Sequence, residues 1–141
     1  MQHLAILKKS WKLLDKITSQ EKTIESRWYK NKSAPWNKIK AGETVYFKDS
    51  GNPVTIKTEV EKVLQFQNLT PHKVKEILNK YDQAIGIKAN DFYQQLKDKN
   101  YCLLIFLKNP ETITPFKIDK TGFGLMSAWI CVDDIEMIRK N

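Results

Sequence analysis

The chain has 141 residues, 41% of them hydrophobic and 11% aromatic, with a formal net charge of +8. That length suits one domain, residues 1–141, with a proper core, and the composition excludes a wholly disordered polymer. No apolar run nears the ~20 residues that span a bilayer; the longest, Tyr101 to Leu107, is strand-sized.

The charge is unevenly placed. Residues 1 to 48 carry eleven Lys/Arg against four Asp/Glu, and residues 49 to 141 carry thirteen against twelve. Trp11, Trp28 and Trp36, three of the four tryptophans, share the basic part. Basic charge interleaved with aromatic rings is the footprint of a surface that holds phosphates and stacks on bases. An acidic protein partner, anionic lipid or a plain soluble surface also fits the charge; the aromatics favour nucleic acid. Cys102 and Cys131 lie in apolar runs without Cys-x-x-Cys spacing, and only His3 and His72 would complete a metal set. Buried free thiols are expected, with no metal and no cofactor. The N-terminus lacks the basic and long apolar regions of a signal peptide, so a cytoplasmic protein is expected.

In chain order, Leu4 to Leu7 is an apolar run of strand length ended by Lys8 and Lys9. Ser10 reads as the N-cap of a helix whose Trp11, Leu14 and Ile17 form a core-facing stripe, with Lys12 and Lys16 outside. Thr23 to Trp28 reads as a strand, with Glu25 and Arg27 on one face and Ile24 and Ser26 on the other. Lys22 stands at its entrance, and Trp28 and Tyr29 add flat faces, so these residues are close enough to share a site for anion binding or base stacking. A Glu and an Arg two apart also occur as a solvated or cross-strand pair. The loop Asn31 to Asn37 carries Trp36, which either lies over a ligand or plugs the end of the core.

Past Gly42, Thr44 to Lys48 is rich in strand formers, Asp49 to Pro53 reads as a hairpin turn, and Val54, Ile56, Thr58 and Val60 alternate into a long strand. Thr70 before Pro71 starts a helix with a Val74, Ile77, Leu78 and Tyr81 stripe, and His72 is a surface residue in its first turn. A second short helix follows Asn90, with Phe92 and Leu96 on one side. Tyr101 to Leu107, apolar on both faces, is the central strand. Lys108 to Gly124, with Pro110, Pro115 and the Gly122-Phe123-Gly124 corner, reads as a long functional or mobile loop. Ala128 to Val132 forms a last strand, and Asp133 caps a final turn carrying Ile135 and Ile138. The sum is an α+β chain: a small, partly open β-barrel with peripheral helices, a helical insertion at about 71–99, and a cleft beside Lys22.

The apolar first strand, the helix ending in Ser-Gln-Glu-Lys-Thr-Ile-Glu-Ser-Arg, and Ala41-Gly42-Glu43-Thr44-Val45-Tyr46-Phe47 together resemble the ASCH (activating signal cointegrator homology) family. Its signature Gly-x-Lys-x-x-Glu-x-Arg is matched at Lys22, Glu25 and Arg27, with Gln20 where the Gly belongs, and its later Gly-Asp appears as Gly42-Glu43. The resemblance covers roughly the first 65 residues.

It implies a PUA-like barrel whose cleft, lined by Lys22, Glu25 and Arg27, accepts RNA, a nucleotide or a modified base. Arg27 would supply a donor fork, Lys22 a point charge, and Trp28 or Trp36 a stacking face. It also implies an enzymatic alternative, because some small ASCH proteins are amidohydrolases that remove acetyl from N4-acetylcytidine through a lysine nucleophile. Lys22 stands at that lysine, Glu25 stands where a threonine is used, and Glu25 would then take the proton. Metal-independent RNA cleavage and a non-catalytic protein-interaction module complete the alternatives.

Overall fold

The computed structural model describes residues Met1 to Lys140. The chain opens with β1 (Gln2–Leu7), then a 3-10 turn at Lys9–Trp11 and the short helix α1 (Leu13–Thr18). Ser10 therefore lies inside a turn and caps nothing; Lys12 takes a left-handed φ of 55° and the helix starts one residue later. The shift rotates Trp11 out of the core to 40% exposure, while Leu13 and Ile17 are buried.

Next come β2 (Ile24–Tyr29), β3 (Thr44–Asp49) and β4 (Val54–Phe66). Helices α2 (Pro71–Ile85) and α3 (Ala89–Leu96) form the insertion between β4 and β5 (Tyr101–Ile118). Thr70 caps α2 as its sequence requires, its Oγ1 accepting from the Lys73 N–H at 3.2 Å, and Gly86 ends α2 with φ 85°. The chain closes with β6 (Trp129–Val132), a 3-10 turn at Ile135–Ile138 and β7 (Arg139–Lys140). Asp134, not Asp133, caps that turn, through a 2.9 Å bond from the Glu136 N–H.

The strands form one curled mixed sheet ordered β2-β5-β4-β3-β1-β6, with β1 and β3 parallel and β7 on the far end of β5. This is the α+β, partly open PUA-like barrel with peripheral helices. Leu103, Leu104 and Ile105 of β5 are wholly buried because β5 lies between β2 and β4 with a core on each face. Phe47, Val60 and Leu103 pack in the barrel interior, and Ile24, Ile77 and Leu104 pack between sheet and α2.

The stretch from Lys108 is not a long loop, since β5 runs on to Ile118. Pro110 and Pro115 are compatible with a strand here because both fall where the β4–β5 register shifts, so neither has to donate to the ladder. The connection to β6 shortens to the residues after Ile118, where the Lys120 ammonium donates to the Leu125 and Ser127 carbonyls at 2.7 and 2.9 Å. Among the described residues no helix is long and apolar enough to cross a membrane.

Candidate functional site

Strand β2 is an edge of the sheet, paired only with β5 among the described residues, and it carries the charged residues that the sequence singled out. Lys22 enters it from α1 and is 2% exposed. Its ammonium donates to the Ile24 carbonyl and the Ile85 carbonyl, both at 2.7 Å, and lies 3.0 Å from Glu25 Oε1. Glu25 is equally buried, and its Oε2 accepts from Arg27 Nε at 3.0 Å and Nη2 at 2.6 Å. Glu25 and Arg27 do share a strand face, yet they are no solvated pair.

Arg27 then reaches across the open seam of the barrel. Its Nη1 donates to the Ala128 carbonyl at 3.3 Å, its Nη2 to the Ile6 carbonyl at 3.4 Å, and it lies 5.1 Å over the Trp129 ring. The three side chains thus join both edges of the sheet and the last turn of α2.

Burial pulls the Lys22 ammonium below the ordinary lysine range, opposed by the Glu25 carboxylate. Burial would raise Glu25, but the Lys22 and Arg27 charges outweigh it and hold the carboxyl below its usual range. All three Lys22 N–H donors have acceptors, one of them a carboxylate. That geometry holds a charged ammonium and offers no lone pair to an electrophile.

Beside β2 lies a cleft of about 360 Å³. Trp11, Trp28 and Phe92 are its aromatic walls, Ser26 lines its floor, and Lys8 and Lys99 bring positive charge. Trp11 and Phe92 meet edge to face at 5.0 Å, and Lys8 Nζ sits 5.0 Å over the Trp11 ring. Lys22, Glu25, Arg27 and Tyr29 also border the cleft. Tyr29 turns its hydroxyl away, donating to the Ala34 carbonyl at 2.7 Å.

Trp36 does not border the cleft. It packs edge to face on Tyr101 at 5.1 Å and covers the end of the barrel core, so of its two expected roles the plug is the one observed. Conversely, Trp11 had the pattern of a core residue and is a cleft wall. The run Lys8-Lys9-Ser10-Trp11-Lys12, charged on both sides of the ring, is the signal that marks it.

A second buried polar cluster backs Arg27. His3, wholly buried, has Nε2 2.9 Å from Glu43 Oε1, while its Nδ1 accepts from the Trp129 indole N–H at 3.1 Å and lies 3.4 Å from Cys131 Sγ. An accepting Nδ1 places the proton on Nε2, which donates to Glu43. Burial lowers the His3 pKa, against the raising pull of Glu43. Trp129, held this way, is the ring on which Arg27 rests. Cys102 and Cys131 are free thiols, the first buried and the second partly so.

Gln20, standing where the motif of the resemblance has glycine, has a left-handed φ of 65° and ends α1, its N–H bonding to the Ile17 carbonyl at 3.1 Å. The turn that delivers Lys22 thus needs the conformation glycine adopts most readily.

The sequence matches no protein-family model, and the curated proteins contain no match to it. Solved structures do match. The crystal structure of ASCH from Zymomonas mobilis is similar over 96% of this chain and 90% of its own, with a TM-score of 0.68 at 14% identity. A mutant of the same protein covers 96% and 93%, with a TM-score of 0.69. The N-terminal domain of Staphylothermus marinus McrB covers 82% and 76%, with a TM-score of 0.50 and 14% identity. With the seam-spanning β2 motif and the curled mixed sheet already in view, these likenesses establish that the chain has the ASCH-type fold.

Proposed function

We propose that this chain is a nucleic-acid-binding domain whose cleft accepts one base of RNA or of a free nucleotide, modified bases included. The cleft itself carries this reading: a concave site beside β2 with Trp11, Trp28 and Phe92 as flat walls and Lys8 and Lys99 as cations for phosphate. The expectation attached to the ASCH resemblance points the same way. Lys22, Glu25 and Arg27 act mainly as the frame that holds β2, with Arg27 keeping one of its five N–H donors without a partner among the described residues. A cytoplasmic location and the absence of a cofactor accompany this reading as expectations.

The amidohydrolase alternative rests on Lys22 lying at the cleft with its pKa lowered by burial. Its engagement by two carbonyls and Glu25 argues for the binding reading. The test is a tryptophan-fluorescence titration with the four ribonucleoside monophosphates and a short single-stranded RNA across a salt series, alongside incubation with N4-acetylcytidine followed by chromatography. Saturable, salt-weakened binding in which free nucleotide competes with RNA is expected, with no release of cytidine. Absence of binding up to millimolar nucleotide would overturn the reading. Release of cytidine would replace it with hydrolysis, and binding to an acidic protein that nucleotides leave untouched would replace it with an interaction module.

A further inference from the structure

The free edge of β2 is the least explained feature of the cleft. In its pairing with β5, the Thr23 carbonyl accepts from the Leu107 N–H at 2.8 Å, so the odd-numbered residues of β2 turn their main-chain groups to β5. The even-numbered residues turn theirs to the open edge. The Ile24 carbonyl on that edge is closed off by Lys22 Nζ, and the Lys30 carbonyl, further along, by the Asn100 side-chain amide at 2.8 Å. Between them, the main-chain N–H and C=O of Ser26 and Trp28 have no partner among the described residues, although both residues line the cleft. The indole N–H of Trp28 is likewise buried without an acceptor. The Ser26 and Trp28 main-chain groups are those of an open strand edge, ready to pair with what enters the cleft, and a buried indole N–H is normally paired, so together they mark where a ligand's polar edge belongs.

We infer that the edge of the bound base is read by the main chain of Ser26 and Trp28, not by the charged triad; this rests on the base-binding reading of the cleft. The triad is committed elsewhere, as its contacts show. One strand residue presents an N–H and a C=O side by side on the same edge, which is the complement of a lactam or amidine edge such as nucleobases carry. The occupant is a compact heterocycle and not a peptide strand. Among the described residues only Ser26 and Trp28 of β2 have both main-chain groups free, the Ile24 and Lys30 carbonyls on either side are engaged, and strand pairing needs ~3 or more residues on each side. The aromatic walls take the faces of the ring, and Lys8 and Lys99 suit an attached phosphate. Specificity then lies in backbone geometry, so no side chain on β2 has to spell it out.

Two measurements test this with the ribonucleoside monophosphates as probes. In the first, amide NMR of the full chain, saturation with the tightest-binding nucleotide shifts the Ser26 and Trp28 amide protons downfield and slows their exchange. In the second, Ser26→Pro deletes one donor at an edge position where proline is tolerated, and affinity drops at least tenfold. A parent that binds nucleotide with both amides unmoved, or with Ser26→Pro unaffected, overturns the main-chain assignment and leaves the base-binding cleft standing. A parent that binds none of the nucleotides overturns both. Amide protection that is present without nucleotide and grows with protein concentration means a second copy pairs on this edge, and it overturns the assignment. If Ser26→Pro fails to fold, the amide measurement on the parent decides.

Discussion

The Lys22 ammonium donates to the Ile85 carbonyl at 2.7 Å across 63 residues of sequence. That bond brings a cation to the C-terminal end of α2, where helix carbonyls lack partners and the macrodipole is negative. Lys16 adds a second, donating to the Gly86 carbonyl at 3.1 Å. The helical insertion is thereby pinned to the barrel at the mouth of the cleft, and α3, which packs chiefly on α2, inherits its position from the same anchor.

Replacing Lys22 by methionine removes one partner of a buried ion pair and leaves the Ile24 and Ile85 carbonyls unsatisfied. A loss of about 3–5 kcal/mol of stability is expected, read from urea unfolding midpoints. A variant with unchanged stability would show that Lys22 has no framing role.

Gln20→Gly places glycine in the left-handed position that ends α1. Relief of backbone strain outweighs the extra freedom of the unfolded chain, and a gain of about 0.5–1 kcal/mol is expected. The same unfolding measurement checks it, and a loss of stability would show that the Gln20 conformation is unstrained.

Trp11→Ala should separate stability from binding. Trp11 is 40% exposed and its main aromatic partner is Phe92, so its loss costs about 0.5–1.5 kcal/mol of stability. Removing a stacking face lowers nucleotide affinity by about 1–3 kcal/mol, read from titrations with the parent and the variant under one salt condition. Equal affinities would remove Trp11 from the site.

The pH dependence follows from His3 and Glu25. His3 is lowered in the fold, so the unfolded chain takes up its proton first; its contribution is complete above about pH 6.5, its unfolded value, and is lost as pH falls through the folded value. Glu25 is lowered too, and its contribution is complete above about pH 4.3 and is lost as pH falls through its own folded value. Thermal unfolding should therefore show two acid-side losses, the upper one absent in His3→Gln. A single loss confined below about pH 4 would show that His3 keeps its ordinary titration in the fold.

Much of the fold was legible along the chain because its signals are local. Thr70-Pro71 starts a helix by capping geometry, the alternation from Val54 to Val60 marks a half-buried strand, and the run Tyr101 to Leu107 has no polar face to expose. The motif Lys22, Glu25 and Arg27 was legible as a group, since residues so close must come together whatever surrounds them. Tertiary structure alone decided what they touch: Ile85, Ala128 and Ile6 arrive from distant segments and bring the carbonyls to which Lys22 and Arg27 donate. It also decided which tryptophan faces the cleft. A two-residue delay in the start of α1 turns Trp11 outward, and Trp36 finds Tyr101 only once β5 is in place. Proline signals misled for the same reason. A proline forbids a ladder bond but not a strand, and whether a bulge receives it depends on the register of β4, which no local pattern around Pro110 or Pro115 contains.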